Sequence, residues 1–232
     1  MGMLKISLPD GLLHEYASGI TVGEIVRNAY GKKSGAVAAL VNGEERDFSY
    51  VLEQDCDIEP ILGESEAGRY ILRHSCAHLL AQAVVEIYPE AQPTIGPPIE
   101  NGFYYDFKMD PVGDEDLKKI EKKMHEHVRA NHTLTREEHD NETLREMFAK
   151  NPFKIEIMND KIGMDVGSSA YRQGDFVDLC LGPHVPSTSY LRWFKLTGTS
   201  QAYWKGDSSN ESLVRIYGCL LYTSPSPRDL TT

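Results

Sequence analysis

Two pairs of residues spaced four apart stand out in this 232-residue chain: His74 and His78 in RHSCAH, and Cys180 and His184 in DLCLGPH. Imidazole and thiol groups hold metals, activate water and relay protons near neutral pH. On a helix, positions four apart share a face, so His74 and His78 point the same way. In the second motif a thiol and an imidazole flank a Gly182-Pro183 turn, and Asp178 shares the face of Cys180 if DLC is a strand. A fold that joins the two motifs brings four donors together. His74, His78, Cys180 and His184 then suffice for a tetrahedral metal site or for a hydrolytic site of imidazoles and a thiol. A bare HxxxH pair is more often structural. It is also not the zinc-protease pattern, which needs a Glu after the first histidine where this chain has Ser75.

The elements that must position these residues fall into two groups. Residues 1–62 read as a small, strand-rich module. LKISL alternates and runs into the turn Pro9-Asp10-Gly11, with LLHEY as the returning strand. Thr21 and Glu24 form a capping box for a short helix closed by Gly31. Asn42-Gly43 sits between two strand-like runs, the strongest short hairpin signal, and DIEPIL supplies a last strand. This order predicts a β-grasp, ubiquitin-like module. The linker GESEAG opens a second domain, 63–218. Its first helix runs from about Glu66 to Tyr88 and stops at Pro89. PTIGPPIENGFYYDF reads as a loop feeding a strand near a site. DEDLKKIEKKMHEHVRAN carries Leu117, Ile120, Met124 and Val128 at helical spacing. A strand (TLTREEH), a helix (ETLREMFAK), a strand (FKIEIM) and sheet-like alternation to Gly218 follow. The fold class is α+β, with helices packed on a mainly antiparallel sheet.

Hydrophobic residues make up 41% and charged residues 25%, as in globular proteins. No apolar run approaches the ~18 residues of a membrane span. The N-terminus lacks signal-peptide character, and Ile6 occupies the position where a myristoylation site has Ser or Thr. Cysteines 56, 76, 180 and 219 show no disulfide-scaffold spacing, so a reducing cytoplasm is expected. The net charge of −11 makes nonspecific binding to a phosphate backbone unfavourable, so any nucleic-acid role must rest on a local patch or on further domains. After Gly218 the sequence CLLYTSPSPRDLTT loses all periodicity. Cys219–Asp229 resembles a translated sequencing adapter, and residues 219–232 are read as a non-native tail replacing a longer natural chain.

RHSCAHLLAQAV, IGPPIENGFYYDF, DLCLGPHVPST and AYWKGDSSNESLVRIYG, in this order, resemble the N-terminal portion of bacterial threonyl-tRNA synthetases. The first module resembles their TGS domain and the second their editing domain, shared in part with alanyl-tRNA synthetases. The resemblance covers residues 3–218. It implies hydrolytic editing of mischarged seryl-tRNA(Thr), with the tRNA(Thr) acceptor end as partner. The aminoacylation core and anticodon-binding domain would follow, so the ATP, Mg and zinc of the full ligase are not expected to bind this fragment. The family dimerises through that core, so the fragment is expected to be a monomer.

Carried over residue by residue, the resemblance assigns His74, His78, Lys154, Asp178, Cys180 and His184 to the editing site, with Tyr105 binding substrate. His74 and His78 are expected to place water and ribose, Lys154 a positive charge, Asp178 the seryl ammonium or hydroxyl, and Cys180 and His184 the closed end. No cofactor is expected to be required. Zinc stays open, because alanine-type domains hold it on a similar HxxxH…CxxxH set. Without the resemblance, Lys154 is a solvated strand lysine, Tyr105 is half-buried packing and Asp178 a turn residue. Cys76 is read as core, and His125, His127, His132 and His139 as surface. The alternatives are a zinc-stabilised RNA-binding or regulatory module without turnover, and a free-standing trans-editing protein.

Overall fold

The computed structural model describes residues 2–161 and 169–221. The first unit contains β1 (Met3–Ser7), β2 (Leu13–Ala17), α1 (Val22–Tyr30), β3 (Ala36–Val41), β4 (Glu44–Arg46) and β5 (Cys56–Leu62). The strands lie in the order β2-β1-β5-β3-β4, with only β1 and β5 parallel, which is the β-grasp arrangement. Alternation buries Leu4 and Ile6 under α1, whose Ile25 and Val26 complete the core with Ile58. The capping box forms as expected: Glu24 N–H donates to Thr21 Oγ1 at 3.3 Å, and Thr21 N–H to Glu24 Oε2 at 2.9 Å. Asn42 and Gly43 both take positive φ, 51° and 82°, as a two-residue hairpin with the twist of its strands requires.

α2 (Glu66–Ile87) follows, capped by Ser65, whose Oγ accepts from Gly68 N–H at 3.0 Å. A Cβ on Gly68 would lie 1.9 Å from Leu62 O, so only glycine lets the helix start this close to the end of β5. The helix is buried on most of its circumference because both units pack on it. Val37, Ala38 and Ile61 of the first unit share one core with Ile71, Leu79, Leu80 and Val84 of α2.

The remaining elements are β6 (Gln92–Pro93), β7 (Pro98–Ile99), β8 (Gly102–Lys108), α3 (Asp114–Ala130), β9 (Leu134–Glu138), α4 (Asn141–Met147), α5 (Pro152–Lys161), β10 (Ser169–Gln173), β11 (Phe176–Leu179), β12 (Phe194–Tyr203) and β13 (Ser212–Leu220). They form two antiparallel sheets. One has the order β12-β13-β8-β6 with β7 also pairing β8, and the other the order β11-β10-β9. α2 and α3 cover the first sheet through Phe103, Phe107, Ile120, Met124 and Ile216. The architecture is α+β, as the sequence implied.

Three local readings change. FKIEIM is not a strand but the body of α5. Asn151 caps it, accepting from Phe153 N–H at 3.1 Å and Lys154 N–H at 3.3 Å, and Pro152 occupies the first helical turn, where its missing N–H costs nothing. His127 is not a surface residue: it is 7% exposed, facing the Glu86 carboxylate at 3.1 Å. Its position follows Ile120 and Met124 along the buried stripe of α3. Cys219 and Leu220 continue β13, opposite Lys195 and Phe194. The rest of the expected tail, residues 222–232, lies outside the described residues.

Candidate functional site

α2 delivers His74 and His78 from one face, and the turn after β11 delivers Cys180 and His184. The four donor atoms converge to within 4.8 Å of one another. Cys180 Sγ is the hub, 3.0 Å from His74 Nε2 and 3.3 Å from His184 Nε2, and it accepts from Gly182 N–H at 3.3 Å. The His184 ring stacks on His74 with centroids 4.4 Å apart and 14° between planes, and meets His78 at 4.2 Å nearly edge-on. Cys76 points to the other side of α2 and is fully buried in the core, as expected.

Gly182 makes the turn possible. Its φ is +71°, and a Cβ there would lie 1.9 Å from the Tyr171 hydroxyl. Tyr171, on β10, packs edge-on against His184 at 4.5 Å. Ser75 braces His184 from the α2 side, with its Oγ 3.0 Å from Nδ1. Sequence reasoning singled out neither Tyr171 nor Ser75 as part of the site. Ser75 could have been found by its place between the two histidines.

Beside the imidazoles lies a buried charged group. Lys154 Nζ sits 2.5 Å from Asp178 Oδ1 and donates to the Tyr105 hydroxyl at 3.0 Å. Tyr105 OH donates to Asp178 Oδ2 at 2.5 Å, and Leu179 N–H to Oδ1 at 2.8 Å. Lys154, Asp178 and Tyr105 are each at most 3% exposed, so neither the solvated-lysine nor the half-buried-tyrosine reading applies. A Cβ on Gly96 would lie 2.2 Å from Tyr105 Cδ2, so the IGPP loop lies directly against this ring.

Burial sets the protonation states. It drives His74 down to about 3, with the neighbouring His78 adding to the effect, and His78 down to about 4 against the pull of Asp178. His184 falls well below its ordinary value for the same reasons. Burial would raise Asp178, but the charge of Lys154, joined by that of His78 once acid protonates the ring, outweighs it and holds the carboxyl below its usual range. Tyr105 is pushed well up by burial and by Asp178. At neutral pH the site is therefore three uncharged imidazoles beside one buried ion pair. The 3.8 Å approach of His78 Nδ1 to Asp178 Oδ2 joins a carboxylate to a neutral ring.

The donor types fit zinc, and the four side chains form a cluster that could hold such an ion if they drew closer together. A tetrahedral zinc shell places its nitrogen and sulfur atoms about 3.3–3.6 Å apart, closer than the spread of 4.8 Å here.

The TGS domain family matches residues 4–61, the β-grasp unit. The family described as "Threonyl and Alanyl tRNA synthetase second additional domain" matches residues 169–217, which include Asp178, Cys180 and His184. The chain carries a TGS domain and, after it, a synthetase second additional domain. His74, His78, Tyr105 and Lys154 lie outside the second additional domain match, yet the structure brings them onto it. Similarity to whole proteins extends further. A threonine--tRNA ligase of Symbiobacterium thermophilum is 42% identical over 220 residues, 93% of this chain and 34% of the ligase. One of Acetivibrio thermocellus is 44% identical over 224 residues, again 93% and 34%, and one of Thermoplasma acidophilum 46% over 211 residues, 91% and 31%. The chain spans about a third of the length of these ligases and is similar to an N-terminal part of them.

Proposed function

We propose that the chain is the editing portion of a threonine--tRNA ligase and hydrolyses the ester of serine on tRNA(Thr). The observation that carries this reading is the convergence of His74, His78, Cys180 and His184 at the join between α2 and the second additional domain. Threonine and serine differ by one methyl, worth only about 1–3 kcal/mol to a binding pocket, so a ligase needs a second, hydrolytic site that excludes the larger side chain. The domain division that accompanies this reading is 1–62 and 63–218, with the acceptor end of tRNA(Thr) as partner, a monomer as the state of the fragment and the cytoplasm as its compartment. Among the described residues no helix is long and apolar enough to cross a membrane.

Ester hydrolysis needs a held water, stabilisation of the developing oxyanion and a proton for the leaving ribose oxygen. Imidazoles with values near 3 and 4 are weak bases, so His74 and His78 orient the water and the ribose rather than carry off a full proton. Cys180 and His184 close the pocket floor and link the rings. Asp178 already accepts from Lys154, Tyr105 and a backbone N–H, which leaves little of it for a seryl ammonium. Its role is to hold Lys154 and Tyr105 beside the imidazoles and to orient His78.

The test is deacylation of Ser-tRNA(Thr) against Thr-tRNA(Thr) by the whole chain, with His74→Ala as control. Selective loss of serine that depends on His74 is expected. Equal rates on both esters, or an unaffected His74→Ala variant, overturn the reading. Stoichiometric zinc after chelator-free purification, with no turnover, would return the chain to the metal-stabilised module.

A further inference from the structure

Ser75 is fully buried between the two histidines of α2, and its hydroxyl touches three groups. It lies 2.8 Å from Ile71 O, 3.1 Å from Val185 N and 3.0 Å from His184 Nδ1. A serine hydroxyl has one proton and two lone pairs. A carbonyl oxygen cannot donate, so the short contact to Ile71 O takes the proton; any other assignment leaves two oxygens facing each other without one. Val185 N–H fills the first lone pair. The second must then receive a proton from His184 Nδ1.

The consequence propagates. His184 with its proton on Nδ1 presents a bare Nε2 to Cys180 Sγ, so the single thiol proton goes to His184. The sulfur is then an acceptor towards Gly182 N–H and towards His74 Nε2. His74 must therefore carry its proton on Nε2, leaving Nδ1 as a bare lone pair. Among the described residues, no protein group partners that buried Nδ1.

We infer that Ser75 is a positioning residue, which through His184 and the Cys180 thiol sets the tautomers of both His184 and His74. For its purpose this rests on the hydrolytic reading: a fixed Nδ1 lone pair on His74 offers a hydrogen-bond acceptor of constant direction. The geometry itself concerns protons alone, and so does its test.

Long-range 1H–15N correlation spectra of the 15N-labelled chain at neutral pH report which nitrogen of each ring is protonated. Wild type is expected to show His184 protonated at Nδ1 and His74 at Nε2. Ser75→Ala is expected to move His184 towards the Nε2–H form and to disturb His74 with it. Cys180→Ala, which cuts the chain after His184, is expected to keep His184 at Nδ1–H while His74 loses its fixed form. A wild-type His184 protonated at Nε2 overturns the inference, even if Ser75→Ala fails to fold. So does a folded Ser75→Ala variant with unchanged ring protonation. Deacylation plays no part in either readout, so loss of the hydrolytic reading is seen separately.

Discussion

Tyr171 OH donates to Asp47 Oδ2 at 2.6 Å, joining residues 124 apart in sequence, one beside the catalytic candidates and one in the β-grasp unit. Both side chains are buried, and Asp47 also accepts from Ser49 N–H at 3.0 Å. The hydrogen bond thus ties the ring that packs on His184 to the first unit.

Replacing Tyr171 with Phe removes the donor and leaves a buried carboxylate oxygen short of a partner. A loss of about 1–3 kcal/mol of unfolding free energy is expected in urea. Asp47→Asn in the same background should cost less than it does alone, giving a coupling energy in a double-mutant cycle. Additive losses would show that the hydrogen bond has no energetic weight.

Gly182→Ala meets two obstacles at once, a positive φ of +71° and a Cβ 1.9 Å from the Tyr171 hydroxyl. The backbone term alone is about 1–2 kcal/mol, and relieving the overlap must shift Tyr171 or the turn bearing Cys180 and His184. Lower thermal stability together with loss of deacylation is expected. An alanine variant with wild-type melting and turnover would contradict the described turn.

The buried ion pair gives an asymmetric prediction. Removing one partner, as in Lys154→Met or Asp178→Asn, strands the other and should cost about 3–5 kcal/mol, whereas an apolar double replacement should recover much of the stability. Chemical denaturation of the singles and the double decides this. Single variants as stable as wild type would place Lys154 in water.

Acid should destabilise the fold early. His74 and His78 titrate near 3 and 4 when folded, against about 6.5 when unfolded, so between those values the unfolded chain binds more protons. Their stabilising contribution is complete above about pH 6.5 and is lost as the pH falls towards the folded values, at about 1.4 kcal/mol per pH unit for each ring. Asp178 adds a loss only at lower pH, as its carboxylate is protonated. Urea midpoints from pH 7 to 5 should fall steadily. A flat profile would mean that the imidazoles are solvated.

Sequence carried the β-grasp unit well, because capping box, hairpin turn and alternation are local signals. His74, His78, Cys180 and His184 were legible for the same reason, each pair lying within one turn of chain. FKIEIM alternates and so reads as a strand bearing Lys154, although Asn151-Pro152 before it is a helix start. The charge around His127 points to the surface, while its spacing from Ile120 and Met124 sets it on the buried stripe. The links through Ser75 and Tyr171 join residues 109 and 124 apart and have no local signature at all.

The glycine at position 68 has a practical consequence for anyone dividing this chain. Because α2 begins against Leu62 O, no slack separates the two units, and Val37, Ala38 and Ile61 are roofed by the helix that carries the histidines. A cut placed at the GESEAG segment would strip that roof, leaving both halves with sticky faces. Grafts of the half that carries the candidate site onto another scaffold should therefore bring the β-grasp partner along, or repaint Ile71 and its neighbours with polar side chains.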